Sequence, residues 1–230
     1  MSDIATKLTT VAENQQKVYD AGKKAEYDRF WDTYQQNGER TKYSYAFSEG
    51  WNNDTFRPKY PIRATDASYM FDGCGVTDFD FVERGVQLDL SAATTLTYMC
   101  RKAKGITHMG VLDTRNAGKI TRLNRLFYGC RIQTIDEFIV DRETKYDNTF
   151  IYATQLKEIR ISGEIAQDGL SFADCGLLSR ESLDSVIQAL SGTTTGLTVS
   201  FNKAAVNAAY TTDDWNALVD QKSNWTFTLL

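Results

Sequence analysis

A recurring pattern of aromatic, small and apolar positions fills the middle of the chain. Six segments carry an aromatic residue or a cysteine followed three positions later by a small residue. They begin at Phe47, Phe71, Cys100, Phe127, Phe150 and Phe172 and end at Gly50, Cys74, Ala103, Cys130, Ala153 and Cys175. Successive first positions lie 24, 29, 27, 23 and 22 residues apart. Self-similarity at such a period indicates a stack of similar structural units.

Four of the copies continue with apolar residues that alternate with polar ones, as in a strand that buries one face. The apolar positions are Val76, Phe79 and Phe81; Ile106, Met109 and Val111; Ile132, Ile135 and Phe138; and Leu156, Ile159 and Ile161. Each repeat is therefore predicted to be a turn followed by a short strand, with the aromatic and small residues facing inward. The third copy has Cys100 where Phe is expected, and the segment from Ile135 to Phe138 carries one extra residue, so both predict local irregularity.

The start of the chain has a different period. Steps of four and three residues separate Ile4, Leu8, Val11, Gln15, Val18, Gly22, Ala25 and Arg29. This is heptad spacing, which predicts a helix with a coiled-coil seam. The apolar seam and a neighbouring aromatic cluster supply candidate attachment residues, namely Ile4, Leu8, Val11, Val18, Phe30 and Trp31. Two interpretations stay open: self-association through this seam, or packing of the helix on its own repeat domain.

The end of the chain departs from the repeat. Leu183, Val186, Ile187 and Leu190 have helical spacing, and Gly192 is typical of a helix end. A strand is predicted from Leu197 to Phe201, then a helix from Asp213 to Lys222 capped by Thr212, and a last strand from Trp225 to Leu229. The sequence thus predicts an N-terminal helix in residues 1–40, a repeat solenoid in residues 41–176, and a helix-strand-helix-strand cap in residues 177–230.

Composition and charge narrow the range of functions. Hydrophobic residues make up 42% of the chain and charged residues 24%, which is ordinary for a folded protein. A net charge of -4 argues against nucleic acid as a partner. The sequence contains no apolar run long enough for a membrane helix, and the first residues do not have the pattern of a signal peptide, so neither insertion nor export is expected. The four cysteines have no close ligand spacing, and we interpret them as packing residues.

Candidate chemistry is sparse. His108 is the one histidine of the chain, and it is predicted to lie on the outer face of a strand. The carboxylate pairs Asp78/Asp80 and Asp213/Asp214 are more typical of a solvated strand face and a helix start than of glycoside cleavage. We therefore expect a protein that is not an enzyme and that uses no cofactor or metal. The outward strand positions form a candidate recognition face, composed of Asp78, Asp80, His108, Asp136, Lys157, Glu158 and Arg160.

Three segments resemble a known family. The repeats MFDGCGVTDFDF and LFYGCRIQTIDEF are similar to the unit of leucine-rich-repeat proteins of the BspA-like type, in the version encoded by phages and prophages of Gram-positive gut bacteria. The start, AENQQKVYDAGKKAEYDRFWDTYQQNG, and the end, LLSRESLDSVIQALSGTTTGLTVSF, also resemble segments of such proteins. The resemblance implies an α+β fold class, with a β-rich leucine-rich-repeat-like solenoid between the N-terminal helix and a C-terminal α/β cap.

The resemblance also implies a place in a virus particle. Proteins of this type are virion structural components of the tail, baseplate or fibre. This chain is accordingly expected to be made in the host cytoplasm and assembled into the virion. Its expected partners are other virion proteins, a host-surface protein or glycan, and further copies of itself, as in a trimer. A bacterial surface adhesin is the alternative function, and a polysaccharide depolymerase is a further alternative.

Overall fold

A computed structural model describes residues 2–48, 58–75, 79–120 and 123–230. The chain divides into two units, one of Met1–Arg40 with Pro58–Tyr60 and one of Thr41–Arg57 with Pro61–Leu230. Residues 177–230, which the sequence predicted as a separate cap, belong to the second unit. None of the helices in the described part of the chain combines the length and the hydropathy that crossing a bilayer requires.

The first unit is built on the long helix α1 (Ser2–Tyr34) and a short 3-10 turn (Gln36–Gly38). Its C-terminal end is tied to Pro58–Tyr60 by polar contacts. The Gln35 amide donates to the Tyr60 carbonyl at 2.9 Å and accepts from the Tyr60 N–H at 3.0 Å. Asp32 accepts from the Lys59 ammonium at 2.7 Å and from the Tyr60 hydroxyl at 2.7 Å. These bonds fix the last turn of α1 against a segment more than twenty residues away in sequence.

The second unit contains eleven short strands and four helices in the described residues. The strands are β1 (Ile62–Arg63), β2 (Phe79–Asp80), β3 (Leu88–Asp89), β4 (Ile106–Asp113), β5 (Leu123–Asn124), β6 (Thr134–Ile139), β7 (Tyr146–Asp147), β8 (Glu158–Ser162), β9 (Ser171–Phe172), β10 (Leu197–Phe201) and β11 (Trp225–Leu229). The helices are α2 (Arg115–Ile120), α3 (Arg180–Ala189), α4 (Lys203–Ala209) and α5 (Thr212–Asp220).

The predicted solenoid, including its leucine-rich-repeat-like form, is wrong. The described strands form four separate parallel sheets instead of one repeated sheet: β1-β3, β5-β7, β11-β10-β9 and β2-β4-β6-β8. In the repeat segment, only β4, β6 and β8 have five or more residues. The other described strands there have two residues each. The result is a mixed arrangement of small sheets and helices.

The aromatic residues of the repeats form the core, as predicted. Phe127, Phe150 and Phe172 are buried, and their ring centroids lie 5.5 Å and 4.8 Å apart along the stack. Phe47 and Phe71 stack in the same way at 5.3 Å. All four cysteines are buried and free, which confirms their interpretation as packing residues. Each buried aromatic ring removes a large apolar surface from water, so this stack is a main source of stability.

The C-terminal elements extend this packing. Strands β10 and β11 coincide with the predicted strands and pair in parallel over five residues, from Leu197 opposite Trp225 onwards. Helix α5 begins one residue earlier than predicted, because the Thr211 hydroxyl, not that of Thr212, accepts from the Asp214 N–H. Helix α4 was not predicted, although Asn202 caps it in an ordinary way by accepting from two backbone N–H groups.

Candidate functional site

The outer face of the four-stranded sheet β2-β4-β6-β8 carries most of the predicted recognition residues. Its register shifts between Ile135 and Phe138, where β6 pairs with β8. The irregularity predicted from the extra residue is confirmed at this position. Such a bulge places two consecutive residues on one side of the sheet, so Asp136 and Glu137 both point away from the core while Ile135 and Phe138 are buried.

His108 lies between two carboxylates on this face. Its Nδ1 is 3.0 Å from Asp80 Oδ2 on β2, and its Nε2 is 2.8 Å from Asp136 Oδ1 on β6. A side chain at Gly110 would approach Asp136, since a Cβ there would lie 3.9 Å from Oδ2. We call the three side chains Asp80, His108 and Asp136 the histidine row.

The two hydrogen bonds determine the charge of the ring. Carboxylates only accept, so both ring nitrogens must donate, which requires the imidazolium form of His108. Burial lowers the pKa of His108, but its hydrogen bonds to Asp136 and Asp80 outweigh this effect, and the net pKa is raised. Burial raises the pKa of Asp80, but the Glu83 N–H and His108 outweigh it, and the net pKa is lowered. The hydrogen-bond geometry and the raised pKa therefore both favour the imidazolium form of His108.

A groove of about 720 Å³ begins beside the histidine row and runs between the sheet and helix α3. Polar side chains from β6, β8 and α3 line it, including Asp136, Glu158, Arg160, Glu181, Ser185 and Gln188. Ser185 also accepts from the Ile161 N–H at 2.8 Å, so α3 caps the edge of the sheet that β8 would otherwise leave unpaired. Asp136 belongs both to the histidine row and to the groove.

Several groove side chains are held in place by neighbours. Glu158 accepts from the Ser179 hydroxyl at 2.6 Å. Arg160 lies 3.7 Å from Glu137 and is largely exposed, so its guanidinium remains accessible to a ligand. Four carboxylates, those of Asp136, Glu158, Glu181 and Asp184, line the groove together with the Arg160 guanidinium, so the groove is acidic with one cationic position. Such a lining suits a polar ligand that offers hydroxyl or cationic groups.

The structure brings together most, but not all, of the predicted recognition residues. Asp80, His108 and Asp136 form the histidine row, and Glu158 and Arg160 line the groove with Asp136. Lys157 is exposed and does not line the groove; its backbone N–H donates to the Gln133 carbonyl at 2.8 Å. Asp78 lies outside the described residues. Sequence reasoning missed the contribution of α3, because its helical pattern shows which face is polar and not which sheet edge that face meets.

The predicted attachment residues are distributed along α1. Val18 is 74% exposed and Phe30 is 43% exposed, whereas Trp31 is fully buried. The side chains of Ile4, Leu8 and Val11 lie outside the described residues, although their backbone is part of α1.

Within the described residues, no group of three or more His, Cys, Asp or Glu side chains has an arrangement that could hold a metal ion. Comparison with known proteins adds no further constraint: no family model, no curated protein and no solved structure matches the chain.

Proposed function

We propose that the chain is a non-enzymatic structural protein of a phage particle, associated with the tail, baseplate or fibre, that presents the groove and the histidine row to a host-surface protein or glycan. The groove carries this proposal, because it is a concave polar surface of about 720 Å³ next to a rigid charged row. The resemblance of the repeats to phage-encoded proteins of the BspA-like type supports the assignment to a virion.

The fixed geometry of the groove favours binding. In the groove, Asp136 is held by His108 and Glu158 is held by Ser179. Side chains that are already ordered lose little entropy when a ligand binds, so more of the contact energy appears as affinity.

Helix α1 supports an attachment role. Every described side chain between Glu13 and Glu26 is exposed, including the apolar Val18. An exposed heptad seam on a long helix is a surface that a second helix can cover. We propose that α1 binds another virion protein or other copies of this chain, as in a trimer.

Mass spectrometry of purified particles tests the placement. Particles released by the strain that encodes the chain are isolated on a density gradient, and their proteins are identified. We expect peptides of this chain in the particle fraction together with the other tail proteins. If the capsid and tail proteins are found and this chain is absent, the proposal fails.

A bulky substitution tests the groove. Gln188→Trp places an indole on the groove side of α3, and Asn216→Trp places one on an exposed position of α5 as a matched control. We expect the purified full chain to bind host cells, Gln188→Trp to bind about tenfold more weakly, and Asn216→Trp to bind like the unmodified chain. Equal binding by all three proteins would show that the groove does not contribute to host-cell binding.

Light scattering tests the seam. Val18→Asp puts a charge into the heptad seam, while Asn14→Asp adds the same charge at an exposed position off the seam. The unmodified chain and Asn14→Asp should have the mass of an oligomer, and Val18→Asp a lower mass. A monomer mass for all three would contradict self-association.

A further inference from the structure

Outside the groove, the second unit contains a row of three stacked tyrosines, Tyr45, Tyr69 and Tyr98, which we call the tyrosine row. The ring centroids of Tyr45 and Tyr69 lie 4.5 Å apart, and those of Tyr69 and Tyr98 lie 4.9 Å apart. The rings are stacked, with interplanar angles of 7° and 24°. Tyr45 is 58% exposed, so this row reaches the surface.

The backbone under the row has a conformation that side chains rarely adopt. The φ angles of Tyr45, Tyr69, Tyr98 and Arg125 are 57°, 56°, 58° and 51°. Left-handed backbone is unfavourable for residues with a Cβ, and it persists where surrounding bonds enforce it. Here each N–H donates to a carbonyl of the following segment at 2.8 to 3.1 Å. The positions of these side chains are therefore set by the fold before any ligand arrives.

Two arginines, Arg101 and Arg125, lie over the ring of Tyr98, and Arg101 is paired with a carboxylate. The Arg101 guanidinium is 4.7 Å from the ring centroid and forms two bonds with the Asp72 carboxylate, at 2.7 Å and 2.5 Å. The Arg125 guanidinium is 5.6 Å from the Tyr98 centroid and 5.7 Å from that of Tyr128.

Arg125 has no carboxylate partner among the residues that the structure describes. Its Nη1 donates to the Tyr98 hydroxyl, while its Nε is buried without a hydrogen-bond partner. A half-buried guanidinium is stabilised by a carboxylate that accepts hydrogen bonds from its N–H groups. The fold therefore holds an uncompensated positive charge between two aromatic rings.

We propose that Arg125, together with Tyr98 and Tyr128, binds a carboxylate group of an acidic linear polysaccharide, and that the tyrosine row contacts neighbouring sugar units of the same chain. The near-constant spacing of three identical side chains fits a ligand built from identical units. An acidic peptide presents a different side chain at each position and fits this regularity less well. This surface shares no residue with the groove, so the inference does not rest on the function proposed for the groove.

Calorimetry with the full chain tests the proposal. The probes are an oligogalacturonate, which carries a carboxylate on each sugar, a neutral dextran oligomer and poly-glutamate. We expect the oligogalacturonate to bind, with affinity falling as salt is added because the contact is ionic. Arg125→Gln should weaken binding about tenfold or more, while Arg115→Gln, an exposed arginine paired with Asp113, should leave it unchanged.

Asp72→Asn provides a test in the opposite direction. It releases the Arg101 guanidinium on the same Tyr98 ring, so affinity for the oligogalacturonate should increase by about threefold to tenfold. A gain of affinity in a folded Asp72→Asn protein distinguishes this effect from a loss of structure. If neither the oligogalacturonate nor poly-glutamate binds, or if a folded Arg125→Gln protein binds with unchanged affinity, the proposal that Arg125 binds a carboxylate is wrong. Equal or tighter binding of poly-glutamate would overturn the polysaccharide assignment.

Discussion

Replacing His108 by Gln removes the cation at the centre of the histidine row. Two charge-assisted hydrogen bonds are lost, those to Asp80 and Asp136. The Asp80 bond joins two side chains that are each 25% exposed, and a bond of this kind contributes about 1 kcal/mol or more. Asp136 is 46% exposed, so its bond is screened by water and contributes roughly 0.5 kcal/mol. We expect His108→Gln to lower the free energy of unfolding by about 1 to 2 kcal/mol at mildly acid pH.

The sign of the pH dependence follows from the direction of the pKa shifts. The pKa of His108 is raised above its ordinary value of 6.5, so its stabilisation is fully present below about pH 6.5 and is lost as the pH rises through the folded pKa. The pKa of Asp80 is lowered, so its stabilisation is present above its ordinary value of 3.8 and is lost as the pH falls through the folded pKa. The row therefore contributes most between these two limits.

Two measurements check this reasoning. Because His108 is the single histidine of the chain, one imidazole resonance reports its titration by NMR, and the midpoint should lie above 6.5. Urea unfolding of the unmodified chain and of His108→Gln should differ by the stated amount near about pH 5.5 and converge near about pH 9. A midpoint at or below the ordinary value, or an equal difference in stability at both pH values, would refute the assignment of an imidazolium between two carboxylates.

Two further predictions concern a backbone contact and the buried cysteines. Gly163 has a φ of 103°, and a Cβ there would lie 1.9 Å from the Val140 carbonyl oxygen. Gly163→Ala should therefore lower the free energy of unfolding, measured in urea, by about 3 kcal/mol or more. The control Gly192→Ala, whose Cβ meets no atom within 4 Å, should lower it far less. Burial raises the pKa of the Cys130 and Cys175 thiols to about 12, so both should react with a thiol reagent at about pH 8 only after unfolding. Fast labelling of the native protein would contradict their burial.

The positions of the core were predictable because packing selects side-chain type. Phe150 follows Phe127 by 23 residues and Cys175 follows Ala153 by 22 residues, and a buried position admits few alternatives. The strand register was less predictable. Val111 was predicted to face inward, but it is 54% exposed, and Leu112 is buried in its place. Met109 and Leu112 are buried three residues apart, opposite Ile135 and Phe138 of β6, so β4 departs from strict alternation in a way that the sequence pattern does not show.

The division into small sheets was not predictable from the repeat, because pairing depends on strand length and on neighbours. The alternating residues around β2 predicted a strand like β8, but a two-residue strand supplies too few ladder hydrogen bonds to continue a sheet. The tyrosine row has a signal in the sequence, since Tyr45 and Tyr69 each lie two positions before a core phenylalanine. Their left-handed backbone had no such signal, because nothing in a tyrosine predicts a positive φ.

The two candidate surfaces share a common physical origin. Packing restricts the inward residues of successive segments to the same few types, so chemical differences between segments accumulate at outward positions. Parallel pairing then places these outward residues near one another. Asp80 is paired with His108, and Asp136 lies two residues beyond Thr134, the partner of His108 on β6. The same pairing aligns Tyr98 with Arg125 through a backbone bond between their segments. Each surface is therefore a product of register, and an insertion of one residue between neighbouring segments would disperse it while leaving the aromatic core able to pack.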